Sequence, residues 1–249
     1  MSLSLSALPR LPEIRPGDDL AAALAAAAPP DLAGGDVLAV AHKVVSKSEG
    51  RLVSLGGVRP GARARALAGE HGQDARVVQV VLDESVEVLR AERGVLVCVT
   101  RHGLVCANAG VDQSNVPGED TVVLLPDDPD ASARRIRSGI AAALGVRPAV
   151  LVTDSFGRAW RLGQTDVALG AAGLVPLDDW SGRPDPHRRE LRATAIAVAD
   201  AAAAASDLAR AKDSGEPAVL IRGLDRFVTA EDGPGAAALR RAAEEDLFR

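Results

Sequence analysis

The chain has 249 residues, with 29 Lys plus Arg against 34 Asp plus Glu and a net charge of -5; a length of this order allows one or two domains and burial of roughly three quarters of the unfolded surface. No sustained basic block with interleaved aromatics occurs, which argues against a nucleic-acid partner. The longest apolar stretch, Ala193 to Ala205, is alanine-rich and interrupted by Asp200, which argues against a membrane span.

Three Phe, two Trp and no Tyr leave the core to Ala, Val and Leu. Cys98 and Cys106 form no Cys-x-x-Cys pair and are read as buried small side chains. Met1 to Leu8 lacks a basic start before an apolar run of signal length, and Pro9 and Pro12 break it up. The expectation is a cytoplasmic protein whose first residues already belong to the domain.

In chain order, Asp18-Asp19 opens a helix over Leu20 to Ala28 that Pro29-Pro30 ends. Asp36 to Val45 reads as a buried strand running into a polar segment, Ser46 to Arg51. Helical patterns follow over Ala62 to His71 and Ala75 to Arg93, the second with Val78, Val81, Val86 and Leu89 near helical spacing. Val95 to Thr100 and Leu104 to Ala107 read as a hairpin with Gly103 at the bend. A strand over Thr121 to Leu125 stops at Pro126, and Asp130 is the expected cap of a helix that Gly145 terminates. Further strands are expected at Ala149 to Thr153 and Ala218 to Arg222, an alanine-rich helix from Glu190 to about Arg210, and a terminal helix from Pro234. Strands and helices do not alternate strictly, so the fold class is α/β of the mixed α+β kind and not a simple doubly wound sheet.

Three polar clusters follow apolar strands. Asn108 to Asn115 offers Asp112, Ser114 and Asn115 as oxygen donors, and Thr153-Asp154-Ser155-Phe156-Gly157-Arg158 offers a second carboxylate, with Arg161 and Gly163-Gln164-Thr165-Asp166 beyond it. A hard divalent cation in a phosphoryl-transfer site is held by one or two carboxylates while phosphates complete its shell, a requirement that Asp112, Asp154 and Ser155 meet. The pair alone is accounted for equally well by aspartates capping helices or turns. The third cluster, His42-Lys43 to Arg51, brings cations suited to phosphates but lacks the P-loop spacing. The four histidines show no zinc spacing, and no Gly-x-Ser-x-Gly elbow marks a hydrolase. Gly170-Ala171-Ala172-Gly173 lacks the dinucleotide fingerprint and reads as close backbone packing.

Taken together, Leu11-Pro12-Glu13-Ile14, Val44 to Arg51, Val105 to Val116, Asp127 to Ala133, Thr153 to Arg158, Gly163 to Asp166 and Arg222-Gly223-Leu224 resemble the coenzyme F420-0:gamma-glutamyl ligase family. The resemblance implies an unusual mixed α/β fold with flanking helices in an intertwined homodimer. It also implies a single ligase domain over 1–249, as one unit or two subdomains; the nitroreductase-like domain that some relatives carry does not follow in this sequence, which is either a stand-alone ligase or the ligase portion of a fusion. The implied activity is GTP-dependent addition of successive gamma-linked L-glutamates to the deazaflavin precursor coenzyme F420-0 through an acyl phosphate, with Mg2+ or Mn2+, and K+ as a further cation. On the family's positions, Asp112 and Asp154 hold a first metal and Ser155 a second. Leu11, Pro12, Glu13, Ile14, His42, Lys43, Lys47 and Asn115 contact GTP. Lys212 and Asp213, also counted among the GTP contacts, stand where some relatives carry a glycine-rich loop with a carboxylate for the second metal: either Lys212 replaces that carboxylate or Asp213 substitutes for it. Arg158 and Arg161 are a reading of the residues alone, as ligands of phosphate or acidic substrate. A non-catalytic nucleotide or deazaflavin binder, or a ligase for another acidic acceptor, stands as the alternative.

Overall fold

The computed structural model describes residues 2–115, 118 and 120–246; Val116, the last residue of the longest family-like stretch, lies outside them. Its centre is a five-stranded mixed sheet ordered β1 (Ser4–Ala7), β12 (Ala218–Arg222), β2 (Val37–Ala41), β8 (Ala149–Arg158) and β9 (Arg161–Ala172). Only β2 and β8 run parallel; the other pairings are antiparallel. The three inner strands are apolar on both faces because both are covered. Leu38, Val40, Val150, Val152 and Leu220 face α1 (Leu20–Ala27) and α5 (Pro129–Leu144). Val37, Ala39, Leu151, Val219 and Ile221 face α6 (Val198–Asp207) and the segment around Ala236.

Local chemistry explains the helices. Asp19 caps α1 by accepting from the Ala22 amide at 3.0 Å, and Leu20, Ala21, Leu24 and Ala25 form its buried face. Gly139 in α5 packs on the Ala21 methyl, an approach with no room for a side chain. The expected cap of α5 is corrected: Asp128 accepts from the Ala131 amide at 2.9 Å. Asp130 is buried in the first turn and accepts from the Ala171 and Ala236 amides at 2.8 and 2.7 Å. It ties the helix to β9 and to the C-terminal segment. Gly145 ends α5 in the left-handed region, as expected.

A second core lies between α3 (Ala62–His71), α4 (Ala75–Asp83), the β3–β7 pair (Leu52–Ser54, Thr121–Val123) and the three-stranded sheet of β4 (Ser85–Glu92), β5 (Val95–Thr100) and β6 (Val105–Ala107). Cys98 and Cys106 oppose each other across β5 and β6, both buried and free.

Several sequence-based boundaries move. The helix expected to Arg93 ends at Asp83, and Ser85–Glu92 is a strand. The strand expected to Val45 ends at Ala41, where α2 (His42–Ser48) begins. The strand expected to end at Thr153 runs on to Arg158. The alanine-rich helix begins at Val198, because residues 177–197 make the small β10–β11 pair (Leu177–Asp179, Ala195–Ala197) and a bridge between Pro184 and Glu190. After Pro234 the described residues form short 3-10 turns in place of an α-helix. Among the described residues no helix is long and apolar enough to cross a membrane.

Candidate functional site

A cavity of about 820 Å3 opens at the carboxyl ends of the parallel pair β2 and β8, the place where open sheets with parallel strands present ligands. Ala41 of β2 leads directly into α2, so His42, Lys43 and Lys47 stand on one wall; Thr153, Asp154 and Ser155 of β8 form the floor. Residues 10–14 and 210–217 complete the rim.

Asp112 arrives by a different route. Asn108, Ala109 and Gly110 have φ of 51°, 52° and 72°, three successive left-handed residues, a conformation that costs non-glycine residues free energy and persists only where its surroundings enforce it. Here the Asn108 carboxamide accepts from the Leu96 amide at 3.1 Å, and Ala109 is buried. Gly110 lies against Leu125 with no space for a side chain. The chain then bridges to β7, with reciprocal backbone hydrogen bonds between Asp112 and Val123 at 3.0 and 2.8 Å.

By strand alternation the floor presents two chemically distinct lobes. On the α2 side, Asp154 stands 3.4 Å from His42 Nε2, while His42 Nδ1 is 3.4 Å from the buried Ser46 hydroxyl. Lys43 Nζ lies 2.6 Å from Asp112 Oδ2, and Lys47, buried, pairs with Glu13 at 2.7 Å. Burial works to raise the Asp112 carboxyl, but the Lys43 ammonium and the Ser114 amide outweigh it and hold the group below its ordinary value. Asp112 is therefore an anion at neutral pH.

On the α6 side, Asp166 of β9 sits directly across from Ser155, beside a bulge at which β9 has one residue more than β8. Its side chain is wholly buried, accepts from the Thr153 and Ser155 hydroxyls at 2.9 and 2.6 Å, and pairs with Arg210 at 2.6 Å. Lys212 Nζ reaches the Ser155 hydroxyl and Asp207, each at 2.7 Å.

Leu11, Pro12, Glu13, Ile14, His42, Lys43, Lys47, Asp112, Asn115, Asp154, Ser155, Lys212 and Asp213 all line this one cavity. Arg158 and Arg161 do not: they stand at the outer end of the β8–β9 hairpin, where Arg158 donates to the Leu162 carbonyl at 2.7 Å. Sequence reasoning assigned no role to Asp166, Thr153 or Arg210. The available signal was a carboxylate at the head of the apolar run Val167 to Leu174, an inward position that requires a partner.

Cys106 lies close enough to Asp154 to feel its charge, yet it is no nucleophile. Burial first, then the neighbouring Asp154 and Cys98, push its thiol up to about 12.

Residues 9–223 match the protein-family model described as F420-0:Gamma-glutamyl ligase. The coenzyme F420:L-glutamate ligase of Methanopyrus kandleri is 43% identical over 250 residues, covering 100% of this chain and 98% of its own. Proteins of the same name from Haloarcula marismortui and Natronomonas pharaonis are 44% identical over 254 residues and 46% over 247, covering 99% and 96% of this chain and 96% and 92% of their own. With its site residues gathered in one cavity and its length matched nearly end to end, the chain belongs to the F420-0:gamma-glutamyl ligase family.

Proposed function

We propose that this protein joins L-glutamate to coenzyme F420-0 in a reaction driven by GTP and assisted by Mg2+ or Mn2+. The observation that carries the reading is that Asp112, Asp154 and the positions the resemblance assigns to the nucleotide, residues 11–14, His42, Lys43, Lys47 and Asn115, line one cavity. In the proposed sequence the terminal phosphoryl group of GTP passes to the free carboxylate of F420-0, giving an acyl phosphate and GDP. The amine nitrogen of L-glutamate then attacks the acyl carbon; the amide bond forms, inorganic phosphate leaves and the amine gives up a proton. Repetition on the new gamma-carboxylate extends the tail.

The residues fit a divalent cation at Asp112 and Asp154. Two carboxylates line one cavity, and the Asp112 group is held below its ordinary value by Lys43 and the Ser114 amide. That is the open arrangement a magnesium-type ion uses when phosphates and water fill its remaining positions. When bound, such an ion neutralises charge on the transferring phosphoryl group. The chain's own part is alignment and charge. Lys43 and Lys47 supply ammonium groups beside the nucleotide positions, and the Asp154 carboxylate is oriented by accepting from the Ser155 amide of the β8 floor at 2.8 Å. Family resemblance adds a homodimer, a state that the exposed Trp160 and Leu162 on the β8–β9 hairpin would suit.

The test is incubation with GTP, Mn2+, L-glutamate and F420-0, followed by mass analysis. Glutamyl addition is the expected result. Intact nucleotide binding without addition would favour a binding module, and addition only to a different acidic acceptor would redirect the substrate.

A further inference from the structure

The α6 lobe departs from what the family pattern implies. Resemblance places a second divalent cation on Ser155, but the neighbours of that hydroxyl do not suit one. Its proton is donated to Asp166 at 2.6 Å, and its lone pair accepts the Lys212 ammonium at 2.7 Å. The same ammonium lies 2.7 Å from Asp207 and 3.9 Å from Asp166. The two carboxylates around that hydroxyl, Asp166 and Asp207, are thus already matched by two cations, Lys212 and Arg210, the latter 2.6 Å from Asp166, while Asp213 and Glu216 line the rim beyond them. A divalent ion on the Ser155 oxygen, at the ~2.1 Å that magnesium requires, would lie within about 5 Å of the Lys212 ammonium and be repelled by it. Lys43 stands as near to Asp112, but it pairs with that one carboxylate, whereas Lys212 is held between Asp207 and Asp166.

We propose that the Lys212 ammonium is a tethered replacement for the second divalent cation, so that the loaded site of this chain holds one divalent ion, on the Asp112 and Asp154 side. Asp207 and Asp166 act as positioning residues for Lys212: they hold its ammonium over the floor of the cavity, where the phosphoryl oxygens of a nucleoside triphosphate would meet it. The inference rests on the GTP and metal reading given above, and it concerns the number of ions that the site takes.

The experiment counts Mn2+ per chain by equilibrium dialysis in the presence of saturating guanosine 5′-(β,γ-imido)triphosphate and records the EPR spectrum of the bound ion. The wild-type protein and Lys212→Arg, which keeps the charge, should each bind one ion with no spin coupling. Lys212→Gln, which removes the charge and leaves an oxygen donor, should bind a second ion and give a coupled spectrum. The Lys212 side chain is 66% exposed, so neither change disturbs the core. Two coupled ions in the wild-type protein would overturn this inference alone. So would a single ion in both the wild-type protein and the glutamine variant. No ion bound by the wild-type protein would sink the metal reading of the cavity and this inference with it.

Discussion

Lys43 holds its ammonium 2.6 Å from the Asp112 carboxylate across a cavity wall, so this aspartate is charge-balanced before any ligand arrives. On the proposed reading, a divalent ion bound there would share or displace that ammonium and leave it to meet phosphate. Lys43→Met should therefore raise KM for GTP about tenfold, the equivalent of one charge-assisted hydrogen bond of ~1.5 kcal/mol, while the Mn2+ concentration for half-saturation does not rise. Steady-state kinetics over both ligands checks this, and an unchanged KM for GTP would separate Lys43 from the nucleotide.

The same pair sets an acid limb. Because the folded-state pKa of Asp112 is depressed below 3.8, its contribution to stability is present above that value and is lost as pH falls through the lower, folded-state value. Urea melts should show this part of the wild-type stability falling as pH drops below 3.8 toward the lower, folded-state value. Lys43→Met should flatten that fall, and an identical slope in both proteins would remove Lys43 as its cause.

Asp154→Asn keeps volume and removes charge. It should lower kcat by at least about a hundredfold, the usual loss when one electrostatic element aimed at the transferring group is removed, with no change in thermal midpoint beyond a few degrees. Retained turnover with an unaltered response to metal would exclude Asp154 as a ligand.

Asp166→Asn acts on stability as well as activity. The change leaves the Arg210 guanidinium, 9% exposed, without its carboxylate, and breaking a buried pair from one side costs about 3 kcal/mol or more. Thr153→Val, which removes one of the neutral donors to the same carboxylate, should cost only ~1 kcal/mol. Equal losses in chemical denaturation would show that the ion pair is not the dominant interaction.

Both thiols should be silent in the native protein. Burial raises Cys98 and lifts Cys106 to about 12, so a disulfide reagent at pH 8 should titrate neither until denaturant is added. Prompt native-state reaction of either would contradict the buried β5–β6 pairing.

Much of this was legible in the sequence where a local signal had one meaning. The helix Ala62–His71 and the strand Ala218–Arg222 fall where the sequence patterns put them. Gly170 packs against the Pro129 carbonyl in the way its small-residue stretch suggested. Val86 and Leu89 misled because they continue a helical spacing by chance: both are exposed on β4, whose strand state is fixed by pairing with β5. Asp154 and Asp112 could be picked out as carboxylates following apolar strands, but their placement on one cavity depends on a parallel β2–β8 pair and a left-handed turn that no local pattern encodes. Asp166 went without a role because its meaning lies entirely in partners 11, 13 and 44 residues away.

The left-handed turn at Asn108, Ala109 and Gly110 carries a consequence for how this protein meets its substrates. A carboxylate delivered by a pliant loop must be ordered by each arriving ligand, which loses affinity at every encounter. Asp112 is committed during folding instead, when Leu96, Leu125 and Val123 close around the kinked peptide. Reactants exchanged from one turnover to the next would thus find the same rigid anvil each time.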